Sequence, residues 1–199
     1  MIIAIAGPIG VGKSTVARGL ADRLRYRYLS AGEAFRDMAR ERGLSVLELN
    51  RLAESDPTVD REVDRMQAAR AREGNCVVES RLAGWMVDAD LRVWLRAPLA
   101  VRAARVARRE SVPLQAAEDD VREREESEWQ RYRELYGIDI TDLSPYQVVL
   151  DTARWSAEDV VDVMALLAGR MAPAEAAPQG AAPERSAGGW TNGGWTDGG

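Results

Sequence analysis

The sequence predicts an α/β fold, a five-stranded parallel sheet covered by helices on both faces. Two observations predict it. Short apolar runs bounded by Gly, Pro or Asn alternate with stretches of helical periodicity, as parallel strands need when each crossover must carry the chain back to its starting edge. The first of these runs also passes through a glycine-rich turn straight into a helical pattern.

Residues 2–6 (Ile-Ile-Ala-Ile-Ala) are continuously apolar and read as a strand buried on both faces. Ser14 to Arg25 reads as a helix, because Val16, Ala17, Leu20, Ala21 and Leu24 recur at its spacing. Tyr26 to Ser30 is a short second strand, and Ala34 to Glu73 is helical, strongly charged and broken at Asp56-Pro57. Gly74-Asn75 precedes the third strand, Cys76 to Glu79. The fourth, Leu91 to Leu95, ends before Pro98, and a helix follows from Leu99 to Arg109. Residues 113–136 are helical and almost wholly charged, and Gln147 to Leu150 is the fifth strand. Ser156, with Asp159 three positions on, caps a last amphipathic helix reaching about Arg170. The charged stretches at about 34–72 and 111–135 interrupt the rhythm and read as insertions into one domain of residues 1–170. Residues 171–199 are rich in Ala, Pro and Gly, with Trp190 and Trp195 in a short repeat. Such a composition does not repay the entropy of ordering, so a disordered tail is expected, with a docking peptide as the alternative.

Composition excludes several classes of function. No run of about 18 apolar residues exists to span a bilayer, and the apolar start lacks the basic stretch of a signal peptide, so a cytoplasmic protein is expected. With one cysteine and no histidine, neither an internal disulfide nor a zinc site is expected, and Cys76 reads as a small buried hydrophobe. The net charge of −5 offers no broad basic field for nucleic acid. Of the cationic residues, 26 are arginine and one, Lys13, is lysine.

That lysine sits in Gly7-Pro8-Ile9-Gly10-Val11-Gly12-Lys13-Ser14, which fits G-x-x-x-x-G-K-[ST] in full, with Thr15 next on the helix. Glycines let the loop turn so that successive N–H groups face phosphate oxygens, and the following helix adds unpaired donors and its positive dipole end. In such a P-loop, Lys13 reaches the β- and γ-phosphates of ATP and the Ser14 hydroxyl ligates Mg²⁺. A GTPase would carry Asn-Lys-x-Asp to read guanine, which a chain with a single lysine at 13 cannot have. Glu79 ends a buried strand beside the loop, where a carboxylate can hold a water on Mg²⁺.

A kinase also needs an acceptor site. Ser30, Gly32 and Arg36 follow strand two, and Arg81 follows strand three. Strand ends on one edge of a parallel sheet face one crevice, so Arg36 and Arg81 can converge there on an anion, although either alone also reads as a surface ion pair. Phosphoryl transfer rests on positioning and cationic clamping. Among the arginines between 102 and 131, Arg105, Arg109, Arg124 and Arg131 are the candidates, and most of their neighbours read as ion-paired helix surface.

Ser30-Ala-Gly-Glu-Ala-Phe-Arg36, Ser80-Arg-Leu-Ala-Gly-Trp-Met86, Arg122-Glu-Arg-Glu-Glu-Ser-Glu128, Arg131-Tyr132 and Tyr136-Gly-Ile-Asp-Ile140 together resemble the archaeal-type cytidylate kinases of the P-loop nucleoside monophosphate kinase family, collinearly over about residues 1–170. The resemblance implies transfer of the ATP γ-phosphate to CMP and dCMP by a monomer. It further implies a monophosphate-binding insertion near 34–72 and a lid near 111–135. By the same resemblance Arg36 holds the acceptor phosphate, Arg81 reads cytosine, and Arg105 and Arg109 stack on adenine and clamp ATP. Arg124, Glu128 and Arg131 match the lid pattern of arginine, acid and arginine. Asp60, Asp64 and Gln67 are the candidates to accept from the cytosine amino group. Open alternatives are a small P-loop kinase for UMP, AMP or a non-nucleotide acceptor, an ATP-dependent RNA-binding factor, and a non-catalytic ATP-binding module.

Overall fold

A computed structural model describes residues 1–171. Its strands are β1 (Ile2–Ala6), β2 (Arg27–Ser30), β3 (Cys76–Glu79), β4 (Leu91–Arg96) and β5 (Val148–Asp151). They form one parallel sheet in the order β2-β3-β1-β4-β5, with β1 at its centre. Alternation along β1 divides the core. Ile3 and Ile5 face α1 (Lys13–Leu24) and α8 (Ala157–Arg170), where they pack with Leu20, Val161 and Met164. Ala4 faces the other way, toward Cys76, Val78 and Ala83. Leu20 and Met164 are fully buried, and burying each such side chain contributes about 1.5–3 kcal/mol. Helices therefore cover both faces, as expected. Cys76 is also fully buried, its thiol donating to the Ala71 carbonyl at 3.6 Å.

The long charged stretch after β2 is three helices: α2 (Ala31–Glu41), α3 (Val46–Ser55) and α4 (Thr58–Ala71). The expected break at Asp56-Pro57 is there. A second lies at Gly43–Ser45, where Gly43 has φ 67° and Ser45 opens a capping box with Glu48. Helix α2 begins at Ala31 rather than Ala34, because the Ser30 hydroxyl accepts the Glu33 N–H and so caps it one residue after β2. Met38, Leu49, Val59 and Val63 give these three helices an apolar cluster of their own. A short helix α5 (Ala83–Met86), unexpected from the sequence, follows β3. Helix α6 (Leu99–Glu110) leads into α7 (Leu114–Tyr136), and β5 sits one residue later than expected. Helix α8 starts in the expected Ser156–Asp159 capping box. The tail expected at 171–199 lies, apart from Met171, outside the described residues. Among the described residues no helix is long and apolar enough to cross a membrane.

Candidate functional site

The glycine-rich loop joins β1 to α1 at the centre of the sheet, and its conformation is enforced by crowding. A Cβ on Gly7 would lie 2.3 Å from the Leu95 carbonyl oxygen. One on Gly10, whose φ is +75°, would lie 2.6 Å from that of Arg102. Gly12 then opens α1 with φ 98°, no side chain caps the helix, and no acid stands in its first turn. The amino end of α1 is left with free donors and an uncompensated positive dipole end, a ready anion seat.

A cavity of about 1330 Å³ lies against this seat. Gly10, Val11, Gly12, Lys13, Ser14 and Thr15 line one side of it. Arg36, Arg105, Arg109, Arg124, Glu128 and Arg131 reach it from α2, α6 and α7. Lys13 Nζ donates to the Pro8 carbonyl at 3.0 Å. Desolvation pushes its ammonium down to about 7, helped by the nearby Arg81 charge and opposed by Glu79, Glu128 and Glu125. Three loop residues, Gly7, Pro8 and Ile9, stand apart from the cavity lining. Pro8 has no N–H to offer and lines a separate hollow behind α7. Ile9, expected to serve the phosphates, is buried against Val106, Ala117 and Val121, and its N–H goes to Glu125 Oε1 at 2.9 Å.

The carboxylate of Glu79 is buried at the end of β3 and accepts from Tyr28 Oη (3.0 Å) and Ser30 Oγ (2.9 Å). Ser30 is therefore engaged twice, as helix cap and as donor, while Gly32 lies in the first turn of α2 beside the Arg36 guanidinium. Arg36 makes no hydrogen bond or ion pair with another described residue. Arg81 does not line the cavity. Its Nη1 donates to the Gly7 carbonyl at 3.1 Å and its Nη2 lies 2.8 Å from Glu128 Oε2. Arg36 thus lines the cavity while Arg81 lies behind its lining near Lys13, so the expected convergence of the two arginines on one wall is not seen.

Arg105, expected to stack on a base and clamp phosphate, spends its guanidinium elsewhere. It donates to the Val11 carbonyl (3.2 Å) and to both oxygens of Thr152 (2.9 and 2.6 Å), so it braces the loop against the end of β5. Arg109 and Arg124 are exposed and hold local acids, Glu110 at 2.6 Å and Asp120 at 3.3 Å. Arg131 Nε lies 3.1 Å from Asp60 Oδ2, and Tyr136 Oη donates to Asp64 Oδ2 at 2.7 Å, so α4 and α7 face each other across paired polar groups. Burial pushes the Asp64 carboxyl up to about 6, with the Asp60 charge adding to it and the Tyr136 hydrogen bond opposing. Burial likewise raises Asp60, against the pull of Arg131. Gln67 is buried, and its amide nitrogen donates to the carbonyls of Leu29 and Glu79, tying β2 to β3. Arg81 Nη2, Glu128 Oε2, Arg131 Nε and Asp60 Oδ2 are all buried, yet none is in an aligned hydrogen bond.

Glu125, Arg102 and Thr152 have structural parts here that the sequence reading missed. A signal for Glu125 existed: Ala117, Val121, Glu125, Glu128 and Tyr132 follow one another at helical spacing, so the acids that continue the apolar stripe are the ones turned inward.

With this geometry in hand, the chain matches the cytidylate kinase-like family over residues 2–154. It is 49% identical over 166 residues to a cytidylate kinase of Haloarcula marismortui, covering 82% of this chain and 86% of that protein. It is 50% identical over 177 residues to one of Natronomonas pharaonis, covering 87% and 92%. Among solved structures, shikimate kinase from Bacteroides thetaiotaomicron superposes with a TM-score of 0.58 at 17% identity, over 85% of this chain and 98% of that one, a likeness of fold.

Proposed function

The chain belongs to the cytidylate kinase-like family, and we propose that it phosphorylates CMP from ATP in a crevice whose donor side is the glycine-rich loop and whose acceptor side lies between α4 and α7. The observation that carries this reading is the set of buried, misaligned charges between those helices. Four polar atoms of Arg81, Glu128, Arg131 and Asp60 are shut from water without aligned partners. Buried polar groups are rarely left so, and a polar ligand with its own donors and acceptors would complete them.

In this reading Gly10, Val11, Gly12, Lys13, Ser14 and Thr15 hold the triphosphate, with Gly7 and Pro8 shaping the loop. The ammonium of Lys13 is recharged by the anion it meets. Arg36, without a hydrogen bond or ion pair among the described residues, takes the acceptor phosphate, and Arg81, Asp60 and Asp64 face the base. An acceptor phosphate oxygen attacks the γ-phosphorus as the bond to the β,γ-bridging oxygen breaks, leaving CDP and ADP. Arg109, Arg124 and Arg131 neutralise charge on the group in flight, and α7 keeps water out. Ser14 and Glu79 offer an oxygen-only set suited to a hard cation, which Ser14 would ligate directly and Glu79 would hold through water. Mg²⁺ bound there would neutralise phosphate charge. Residues 34–72 act as the monophosphate-binding insertion and 111–135 as the lid of a cytoplasmic monomer, which also accepts dCMP.

Steady-state turnover with each nucleoside monophosphate, and with shikimate, at saturating Mg-ATP tests the reading. CMP and dCMP should exceed UMP and AMP in kcat/KM by at least about 100-fold, since a wrong base leaves buried polar groups unpaired. A preference for another acceptor would overturn it.

A further inference from the structure

Helix α7 does not rest on the core as a loose cover. Both backbone polar groups of Ile9 are held by side chains from other elements: its N–H by Glu125 Oε1 at 2.9 Å, its carbonyl by Arg102 Nη1 at 3.0 Å. The same Nη1 lies 2.6 Å from the same Glu125 oxygen, closing a ring of three contacts, and Arg102 Nε donates to the Ala97 carbonyl at 3.0 Å. Arg102 is only 8% exposed. Beneath this ring Ile9, Val106, Ala117 and Val121 form an apolar seat shared by the loop, α6 and α7. The next loop residue, Gly10, presses so closely on the Arg102 backbone that even a methyl group would not fit. Any tilt of α7 is therefore felt by the loop.

We propose that Glu125 is a positioning residue for phosphoryl transfer, locking the glycine-rich loop to α7 through Ile9 and Arg102. Successive residues on a helix are about 100° apart, so fixing Glu125 toward the loop turns its neighbour Arg124 toward the nucleotide cavity. The lock sets the relation between the donors under the triphosphate and the arginines over it, a distance on which transfer depends steeply. Glu125 touches no substrate in this assignment, which rests on the kinase reading above.

The test compares Glu125→Gln, Glu125→Ala and Arg102→Met in the full chain. Glutamine keeps an acceptor for the Ile9 N–H but loses the charge facing Arg102; alanine loses both. We expect kcat on CMP to fall about 10-fold in the glutamine variant and about 100-fold in the alanine variant, as misplacement near 1 Å costs. The ATP dissociation constant, measured by direct titration, should stay within about threefold, because the phosphate-facing amides of residues 10–14 are untouched. Exchange of the Ile9 amide should quicken in the alanine variant and less in the glutamine one. The Arg102→Met/Glu125→Ala double variant should be no slower than the slower single, as for groups that act as a unit. Turnover within twofold of the parent in the alanine variant, or multiplicative losses in the double, would overturn the proposal. If the alanine variant fails to fold, the glutamine variant decides by the same twofold criterion. A parent chain inactive on CMP would instead refute the kinase reading, while Ile9 exchange would still report on the lock.

Discussion

In the proposed reading, Lys13 combines two roles that pull its proton in opposite directions. Burial and the Arg81 charge hold its ammonium near 7 in the free protein, whereas a triphosphate beside it favours the charged form. Between about 7 and the ordinary 10.5 the free protein is short of a proton that the complex keeps. Calorimetry in buffers of different ionisation enthalpy should show uptake of close to one proton on ATP binding at pH 8. Uptake should disappear in Lys13→Met, and persistence there would place the titrating group elsewhere. Lys13→Ala should cut turnover by about 100-fold or more. Arg36 has no hydrogen-bond or ion-pair partner among the described residues, so Arg36→Ala should act on substrate alone. The CMP KM should rise at least about 10-fold, the scale of one charged hydrogen bond, with ATP affinity unchanged; equal effects on both substrates would remove Arg36 from the acceptor side. At this scale the sequence was readable where a motif fixes both residue and backbone, as from Gly10 to Ser14, and not at Ile9, whose N–H goes to Glu125. It did not foresee which partners a guanidinium takes inside the protein: Arg105, expected on adenine and ATP, lines the cavity and also holds carbonyls of Val11 and Thr152.

Between α4 and α7 the elements meet through Asp60–Arg131 and Asp64–Tyr136. The folded value of Asp64, about 6, lies above the ordinary 3.8. The folded chain therefore holds that proton more firmly than the unfolded chain, and the stability this gives is complete below about pH 4 and lost as pH rises through 6. Asp64→Asn keeps an acceptor for Tyr136 and removes the titration. It should stabilise the protein at pH 7 by on the order of 1 kcal/mol, discounted for partial exposure. It should also flatten the dependence of melting temperature on pH between 4 and 6, and an unchanged slope would show that Asp64 is not the group responsible. Most elements were legible because each carried its own punctuation: Gly74-Asn75 before β3, Pro98 before α6, Ser156 and Asp159 at α8. The break at Gly43–Ser45 was missed because glycine and a capping serine are also common inside charged helical sequence. Helix α5 has four residues, too few to show a period.

The order β2-β3-β1-β4-β5 puts the glycine-rich loop at the middle of the sheet edge, where the chain turns outward to both sides and open α/β sheets bind their ligands. Parallel strands under helices could be foreseen from alternation, but this order could not, since crossover length does not tell which neighbour is reached: residues 31–75 join β2 to the adjacent β3, whereas 80–90 carry the chain from β3 past β1 to β4. The residues from β1 to α8 contain the whole sheet, its two helical layers and every candidate site residue. A chain ending at Met171 should therefore keep kcat within about twofold of the full chain, the variation expected when no cleft group is touched; a larger loss would give residues 172–199 a part in turnover. Cys76 adds a property of the whole molecule. As the single thiol of the chain, on β3 and fully enclosed against α4, it meets an alkylating reagent only when that layer parts. Its labelling rate is thus an internal clock for opening, and a nucleotide present at 100 times its dissociation constant should slow that clock about 100-fold.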